Sequence, residues 1–317
     1  SLEMGSLFFI LGFPAKMEEE RVYRQNDISP GKPGPKMKSE EPEEIKGKPP
    51  TILTRSRIIA DLTRLGVAPG QTVMLHASVK AVGWIVGGPE MLLKSLLDVL
   101  TPEGTLMMVV SWEGDPYHIE EVPGAAMEDY LDEFPAFDPA TSRADHRELS
   151  ILSEYLRTWP GAFRSDNPLE SFVAVGAKAA WLTENHPLNY GYGEGSPLAK
   201  LVAARGKVLS LGAPLETTTL IHYAECLAFV PNKRVVHYKM PVLREGKRVW
   251  IEQEEFDTSN GIVPWDGEDY FALIVKDFLK TGKARTGQVG DAPSRLYDAV
   301  ELTEFAKNWM ETTFNKL

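Results

Sequence analysis

"KVLSLGAPLETTTLIHYAE", Lys207 to Glu225, decides the fold. It opens with a short apolar run, is broken at Gly212 and Pro214, and continues into a segment with helical spacing. That order describes a strand, a loop and a helix, one half of an α/β repeat. A threonine of the run Thr217–Thr219 is placed to cap the helix. Within the helix His222 and Glu225 stand three apart, on neighbouring positions of one face, and Thr219 precedes His222 by the same interval. Glu216 falls in the loop, where helical spacing gives it no direction.

The same rhythm runs through the rest of the chain. "RSRIIADLTRLG" is an amphipathic helix stopped at Gly66, and "TVMLHAS" a short apolar strand. "PEMLLKSLLDVL" starts with Pro89 at a first helical position, and "GTLMMVVSW" is a buried strand. "SILSEYLRTWP" is a helix ending at a proline, "SFVAVG" a strand and "SPLAKLVAARG" a helix. Alternation of this kind predicts an α/β fold, with a largely parallel or mixed central sheet flanked by helices. Ligands then collect in the loops beyond the carboxyl ends of the strands. Two motifs fall there, "HASVKAVGWIVGGP" and "GAPLETTTLIH".

The chain has 317 residues, 43% hydrophobic and 25% charged, which is enough to bury a full core. A net charge of −11 argues against nucleic acid as a partner and is compatible with a cationic one, although solubility explains the same charge. The single cysteine, Cys226, excludes an internal disulfide framework and any multi-cysteine zinc site, and fits a cytoplasmic setting. With no HExxH and no Cys/His cluster, no metal is expected. No apolar run reaches the ~20 residues needed to cross a bilayer, so no membrane partner is expected. "SLFFILGF" near the start is short and follows no basic residue, which argues against a signal peptide. Residues 17–50, rich in Lys, Glu, Pro and Gly, have little with which to form a core. Residues 1–50 therefore read as an N-terminal extension or linker and 51–317 as the folded domain.

A carboxylate beside an imidazole fixes its tautomer and stabilises its charged form, as a general base requires. A surface His–Glu pair on an amphipathic helix would leave the same spacing, so the spacing alone does not decide. The glycines Gly83, Gly87 and Gly88 ahead of a helix start favour close approach of phosphate or carbonyl oxygens. They do not spell a P-loop, and "GYGEGSP" follows no clear strand and is no dinucleotide fingerprint.

The segments "LHASVKAVG…GGP", "GTLMMVVSW", "FDPATS", "RSDNPLESFVAVG", "YGEGSPLAKL", "VLSLGA…TTLIHYAE", "MPVLREGKRVW" and "SRLYDA" follow one another in an order that resembles the aminoglycoside 3-N-acetyltransferases. This antibiotic acetyltransferase family is unrelated to the GNAT fold. The resemblance runs from about residue 51 to the end of the chain. It implies acetyl-CoA as cosubstrate and an aminoglycoside as acceptor. His222 matches the family's catalytic histidine, with Glu225 and Thr219 at the matching offsets. The stretch His76, Ala77, Ser78, Val79, Lys80, Ala81, Val82 and Gly83 matches the segment that holds the pantetheine arm, and Ser111 and Ser196 match other parts of the cleft. Three positions depart from the pattern: Glu216 replaces a frequent aspartate, Asn167 a common histidine and Ala77 a frequent serine.

The implied chemistry is direct transfer to a free amine in a ternary complex, with His222 as base and Thr219 or backbone donors on the oxyanion. It inactivates the antibiotic. A polycation calls for carboxylates, and Glu113, Asp115, Asp138, Glu170, Glu216 and Asp257 are the candidates, with Trp112 and Tyr117 as stacking surfaces for sugar faces. Acetylation of another small amine, and a non-catalytic cation-binding module, are the alternatives. The sequence does not specify the oligomeric state.

Overall fold

The computed structural model describes residues 52–315 apart from 117, 118, 120, 121, 147 and 148, so residues 1–50 and Tyr117 lie outside the described part. Pro50–Leu317 forms one compact unit. In chain order it begins with β1 (Ile52–Leu53), α1 (Arg55–Leu65), β2 (Thr72–Ala77), the one-turn α2 (Val79–Val82), β3 (Trp84–Ile85) and α3 (Pro89–Leu100). It continues with β4 (Thr105–Val109), α4 (Met127–Glu133), α5 (Ile151–Arg157), β5 (Phe163–Arg164), β6 (Phe172–Gly176), α6 (Ala179–Thr183), α7 (Pro197–Ala203), β7 (Lys207–Leu211) and α8 (Leu220–Leu227). The last third adds β8 (Val235–Arg244), β9 (Lys247–Phe256), α9 (Tyr270–Lys280), β10 (Arg285–Val289), β11 (Ala292–Asp298) and α10 (Ala299–Phe314).

Seven strands form the sheet in the order β10-β11-β7-β2-β4-β6-β5. The middle three, β7, β2 and β4, are parallel, and the strands outside them run antiparallel to their neighbours. The expected mixed α/β sheet is present. Both faces are buried because apolar residues occupy both parities of each central strand. Met74, Met107, Val109 and Val208 pack with α7, α8, α9 and α10. Val73, Leu75, Leu106, Met108 and Leu209 pack with α1, α3 and α5. Local signals fix the ends of these helices. The Thr54 hydroxyl accepts from Arg57 N at the start of α1, and Gly66 ends that helix in the left-handed region at φ 109°.

Because β2, β4 and β7 are parallel, Ala77, Val109 and Leu211 end at one edge of the sheet, and the loops that follow share that edge. Two of them touch. Ser78 N donates to Leu211 O at 2.9 Å, and Gly212, at φ +63°, leaves room for the side chain of Ala81. The two motifs found in sequence are thereby brought side by side.

The β8–β9 hairpin is a separate two-stranded ribbon closed at Glu245 and Gly246, both at positive φ, as a two-residue hairpin turn needs. It contributes Met240 to a third apolar cluster with Trp112 and Phe137. Among the described residues no helix is long and apolar enough to cross a membrane.

Candidate active site

The lead into α8 differs in one respect from expectation. None of Thr217, Thr218 and Thr219 caps the helix with its side chain, because each hydroxyl is turned back onto a carbonyl of the preceding turn. They reach Pro214 O at 2.8 Å, Leu215 O at 2.8 Å and Thr217 O at 3.5 Å respectively. A single 3-10 turn over Leu215–Thr217 enters the helix instead. The amide groups of the first turn of α8 therefore have no side-chain cap.

Leu220, Ile221 and Ala224 anchor α8 in the core, and the same periodicity carries Glu225 inward to 1% exposure. A buried carboxylate is tolerated only if its oxygens are satisfied. Here Nδ1 of His222 donates to Oε2 at 2.7 Å, and the Tyr270 hydroxyl of α9 donates to Oε1. With its proton on Nδ1, His222 keeps its lone pair on Nε2. Tyr192 lies flat on the imidazole, with ring centroids 4.7 Å apart and planes 10° apart, and Phe271 packs against it at 4.6 Å. Lys233 closes the carboxyl end of α8, donating to Glu225 O at 2.6 Å and Cys226 O at 3.2 Å. Burial first, then the neighbouring carboxylates, pushes the Cys226 thiol far up, so it stays protonated and unreactive.

The segment from His76 to Gly83 is a strand end followed by the one-turn α2. Ser78 caps that turn, its hydroxyl accepting from Ala81 N at 3.3 Å. Ala77 and Val82 are buried, Val79 and Ala81 pack on the α1–α3 core, and Lys80 is exposed. Gly83 has φ +113°. His76 pairs in register with Ser210, and burial pulls it down to about 4, so it is neutral. Its Nε2 is enclosed without a partner. Ser111 accepts from Asp145 N at 2.8 Å through its carbonyl, and the buried Ser196 caps α7 by accepting from Ala199 N at 3.1 Å.

Several residues expected to face a polycation are consumed internally. Trp112, 5% exposed, packs on Phe137 at 5.6 Å, so its face is core. Asp138 closes its own turn, accepting from Ala140 N and Thr141 Oγ1 at 2.9 Å each. Asp257 accepts from Asn260 N at 2.8 Å and has Arg234 at 3.8 Å. Glu170 is 3% exposed, and burial followed by the charge of Glu255 pushes it well above the usual carboxylate range. Glu113 is partly exposed beside Arg143 at 3.5 Å, Asp115 raises the Tyr130 hydroxyl as a secondary effect to burial, and Glu216 is exposed on the turn before α8. Asn167 is fully buried. It accepts from Leu169 N at 2.9 Å and Glu170 N at 3.0 Å and donates to Pro187 O at 2.7 Å, so it shapes the turn that presents Glu170.

The structure adds Tyr192, Tyr270, Phe271 and Glu255 to the surroundings of His222. They come from three separate stretches of chain, the loop before α7, the end of β9 and the start of α9, and no spacing links them to it. Among the described residues no group of three or more His, Cys, Asp or Glu is arranged to hold a metal ion.

Residues 74–311 match the family model described as Aminoglycoside 3-N-acetyltransferase. Aminoglycoside N(3)-acetyltransferase III of Pseudomonas aeruginosa is 51% identical over 262 residues, covering 82% of this chain and 94% of that protein. Among solved structures, AAC-IIIb in binary complex with CoASH is 47% identical with a TM-score of 0.79, covering 83% of this chain and 98% of that one. AAC-VIa bound to sisomicin is 38% identical with a TM-score of 0.78, covering 83% and 100%. The chain therefore belongs to the aminoglycoside 3-N-acetyltransferase family.

Proposed function

We propose that this enzyme moves the acetyl group of acetyl-CoA directly onto the 3-amino group of an aminoglycoside, with His222 as general base, and so confers resistance. The single observation that carries the assignment of the base is the committed Nδ1: Glu225 holds it at 2.7 Å, which leaves Nε2 for the substrate.

Acetyl-CoA is the cosubstrate, and it supplies a thioester from which the amine takes the acetyl group with release of CoASH. The residues present suit it. The first amides of α2 lack intrahelical partners, Lys80 offers an exposed ammonium, and His76 Nε2 is an unpartnered polar atom on the strand that leads into them. His222 Nε2 takes the proton of the attacking amine as the C–N bond forms, and returns it to the sulfur as the C–S bond breaks. Glu225 holds the ring and balances its charge at that moment. Tyr270 keeps the second carboxylate oxygen occupied, so Glu225 does not turn away. The Thr219 hydroxyl, which reaches Thr217 O only at 3.5 Å, is the donor for charge developing on the carbonyl oxygen once it turns from that long contact. No covalent acetyl-enzyme is required, since Cys226 is held protonated by burial. The polycationic acceptor is drawn by the exposed Glu216 and the partly exposed Glu113 and Asp115 against a background charge of −11.

Thiol release from acetyl-CoA, measured on aminoglycosides with and without a free 3-amino group, tests the reaction. Turnover confined to the free 3-amino drugs and a fall of about 10²–10⁴-fold in His222→Ala are expected. A His222→Ala variant with the wild-type rate would sink the base. Turnover that ignores the 3-amino group would move the acceptor elsewhere.

A further inference from the structure

Residues 186–192 form a strap tied down on two sides. Toward β9, Tyr190 N donates to Glu254 O at 2.9 Å, and Gly191 N donates to Glu255 Oε2 at 2.6 Å. Toward the turn before β6, Pro187 O accepts from Asn167 at 2.7 Å. His186 donates from Nε2 to Gly191 O at 2.7 Å and accepts at Nδ1 from the Ser165 hydroxyl at 2.9 Å. Gly191 is wedged so tightly that an added Cβ would overlap Glu170 Oε2 and come within 2.6 Å of Asn167 Nδ2. The residue that follows, Tyr192, is the one lying flat on His222.

The carboxyls of Glu170 and Glu255, 3% and 2% exposed, meet at Gly191: Glu255 Oε2 accepts from its amide at 2.6 Å, and Glu170 Oε2 would overlap a Cβ on the same glycine. Two buried carboxyl groups so placed do not both ionise, and the stable state keeps a proton between them. Burial raises both. On Glu255 the Gly191 amide, the hydrogen bond from Glu170 and the charge of His222 oppose that rise, so the negative charge of the pair settles toward Glu255 and the base.

We propose that the Glu170–Glu255 pair, with one proton between its members, is a positioning unit for the catalytic base: it anchors Gly191 so that Tyr192 holds the His222 ring plane, and it presents one negative charge to the imidazole. This rests on His222 being the base. A histidine with Nδ1 on Glu225 can still rock about that bond, and a parallel aromatic face removes that freedom. The same face stabilises the imidazolium as it forms. The other groups around the pair leave its single charge intact. The Tyr192 hydroxyl is raised well above its ordinary value, chiefly by burial, and stays protonated, as does Cys226 of α8. His186 is held neutral by burial, and Lys233 serves the end of α8. Glu225 faces His222 directly, Tyr238 lies near enough to influence Tyr192, and Glu254 is occupied by the Tyr190 hydroxyl.

The test compares steady-state kinetics and pH profiles of Tyr192→Leu, Glu255→Gln, Glu255→Ala and His222→Ala in the full chain. Tyr192→Leu should lower kcat about tenfold while leaving the KM for acetyl-CoA within about twofold. Glu255→Gln keeps an acceptor for the Gly191 amide but removes the charge. It should lose less kcat than Glu255→Ala, and the acidic limb of its kcat profile should move to lower pH. Circular dichroism and coenzyme binding identify any variant that has failed to fold, and Tyr192→Leu, which cuts no buried polar tie, reads the proposal even if Glu255→Ala does. Wild-type kcat in Tyr192→Leu together with an unmoved acidic limb in Glu255→Gln overturns the proposal. If His222→Ala is itself fully active, the base has been misassigned, which is a distinct failure.

Discussion

Gly212 and Ala81 meet so closely that a Cβ on the glycine would lie 2.6 Å from the Cβ of Ala81. The contact joins the loop after β7, which leads to the proposed base His222, to the turn after β2, where the coenzyme is expected. The left-handed φ of +63° at Gly212 makes the approach feasible.

Gly212→Val should therefore strain the backbone and push the α2 turn away. We expect a stability loss of about 1–3 kcal/mol in chemical denaturation. We also expect the KM for acetyl-CoA to rise more than the KM for the aminoglycoside. A rise confined to the aminoglycoside would show that the α2 turn does not hold the coenzyme.

Glu225 and Tyr270 differ in what each can lose. Glu225→Gln places an amide where Nδ1 needs an acceptor and favours the wrong tautomer, so kcat should fall about 10²–10⁴-fold with the protein still folded. Tyr270→Phe leaves the imidazole bond intact but strands a buried carboxylate oxygen, which costs about 1–3 kcal/mol of stability. Its kcat should fall less than that of Glu225→Gln. Equal losses in the two variants would mean that the hydroxyl is part of the reaction path rather than a support for the carboxylate.

The sequence was most informative where chemistry is local. Strand, break and helix around Lys207–Glu225 are visible in periodicity and in Gly212 and Pro214, and β2, β4 and β6 are visible as short apolar runs. The expected threonine cap failed because a hydroxyl has two nearby choices, and the carbonyls of the 3-10 turn were the closer ones. Tyr270 stands 45 positions beyond Glu225, and Tyr192 30 before His222, so only the packing of α9 and the strap on α8 brings them in. The carboxylates show the same limit. Glu170, Asp138 and Asp257 are as acidic in sequence as Glu216, and burial and turn bonds alone set them apart.

Glu216, exposed beside the helix that carries His222, is the carboxylate best placed to act on a cation at modest strength. Glu216→Gln should raise the KM for an aminoglycoside by no more than about fivefold, in line with a solvent-screened pair, and the difference should shrink in high salt. An effect of 10²-fold or more, insensitive to salt, would place Glu216 in a desolvated contact instead.

His186 gives the molecule an acid-sensitive tie. Its Nε2 proton goes to Gly191 O, its Nδ1 takes the Ser165 hydroxyl, and burial holds it down at about 4. A histidine whose folded value lies below its unfolded one contributes stability that is present above the unfolded value, near 6.5, and is lost as pH falls toward 4, because the unfolded chain binds the proton first. The full loss is about 3 kcal/mol. Glu170 and Glu255, raised by burial, act in the opposite sense as pH rises above the ordinary carboxylate range, so the stability curve of the whole protein does not isolate the histidine. The difference between wild type and His186→Gln does. Urea denaturation at pH 7 should find the wild type more stable, and that advantage should shrink steadily between about pH 6.5 and pH 4. A constant difference across that window would show that His186 takes up its proton equally in the folded and unfolded chains.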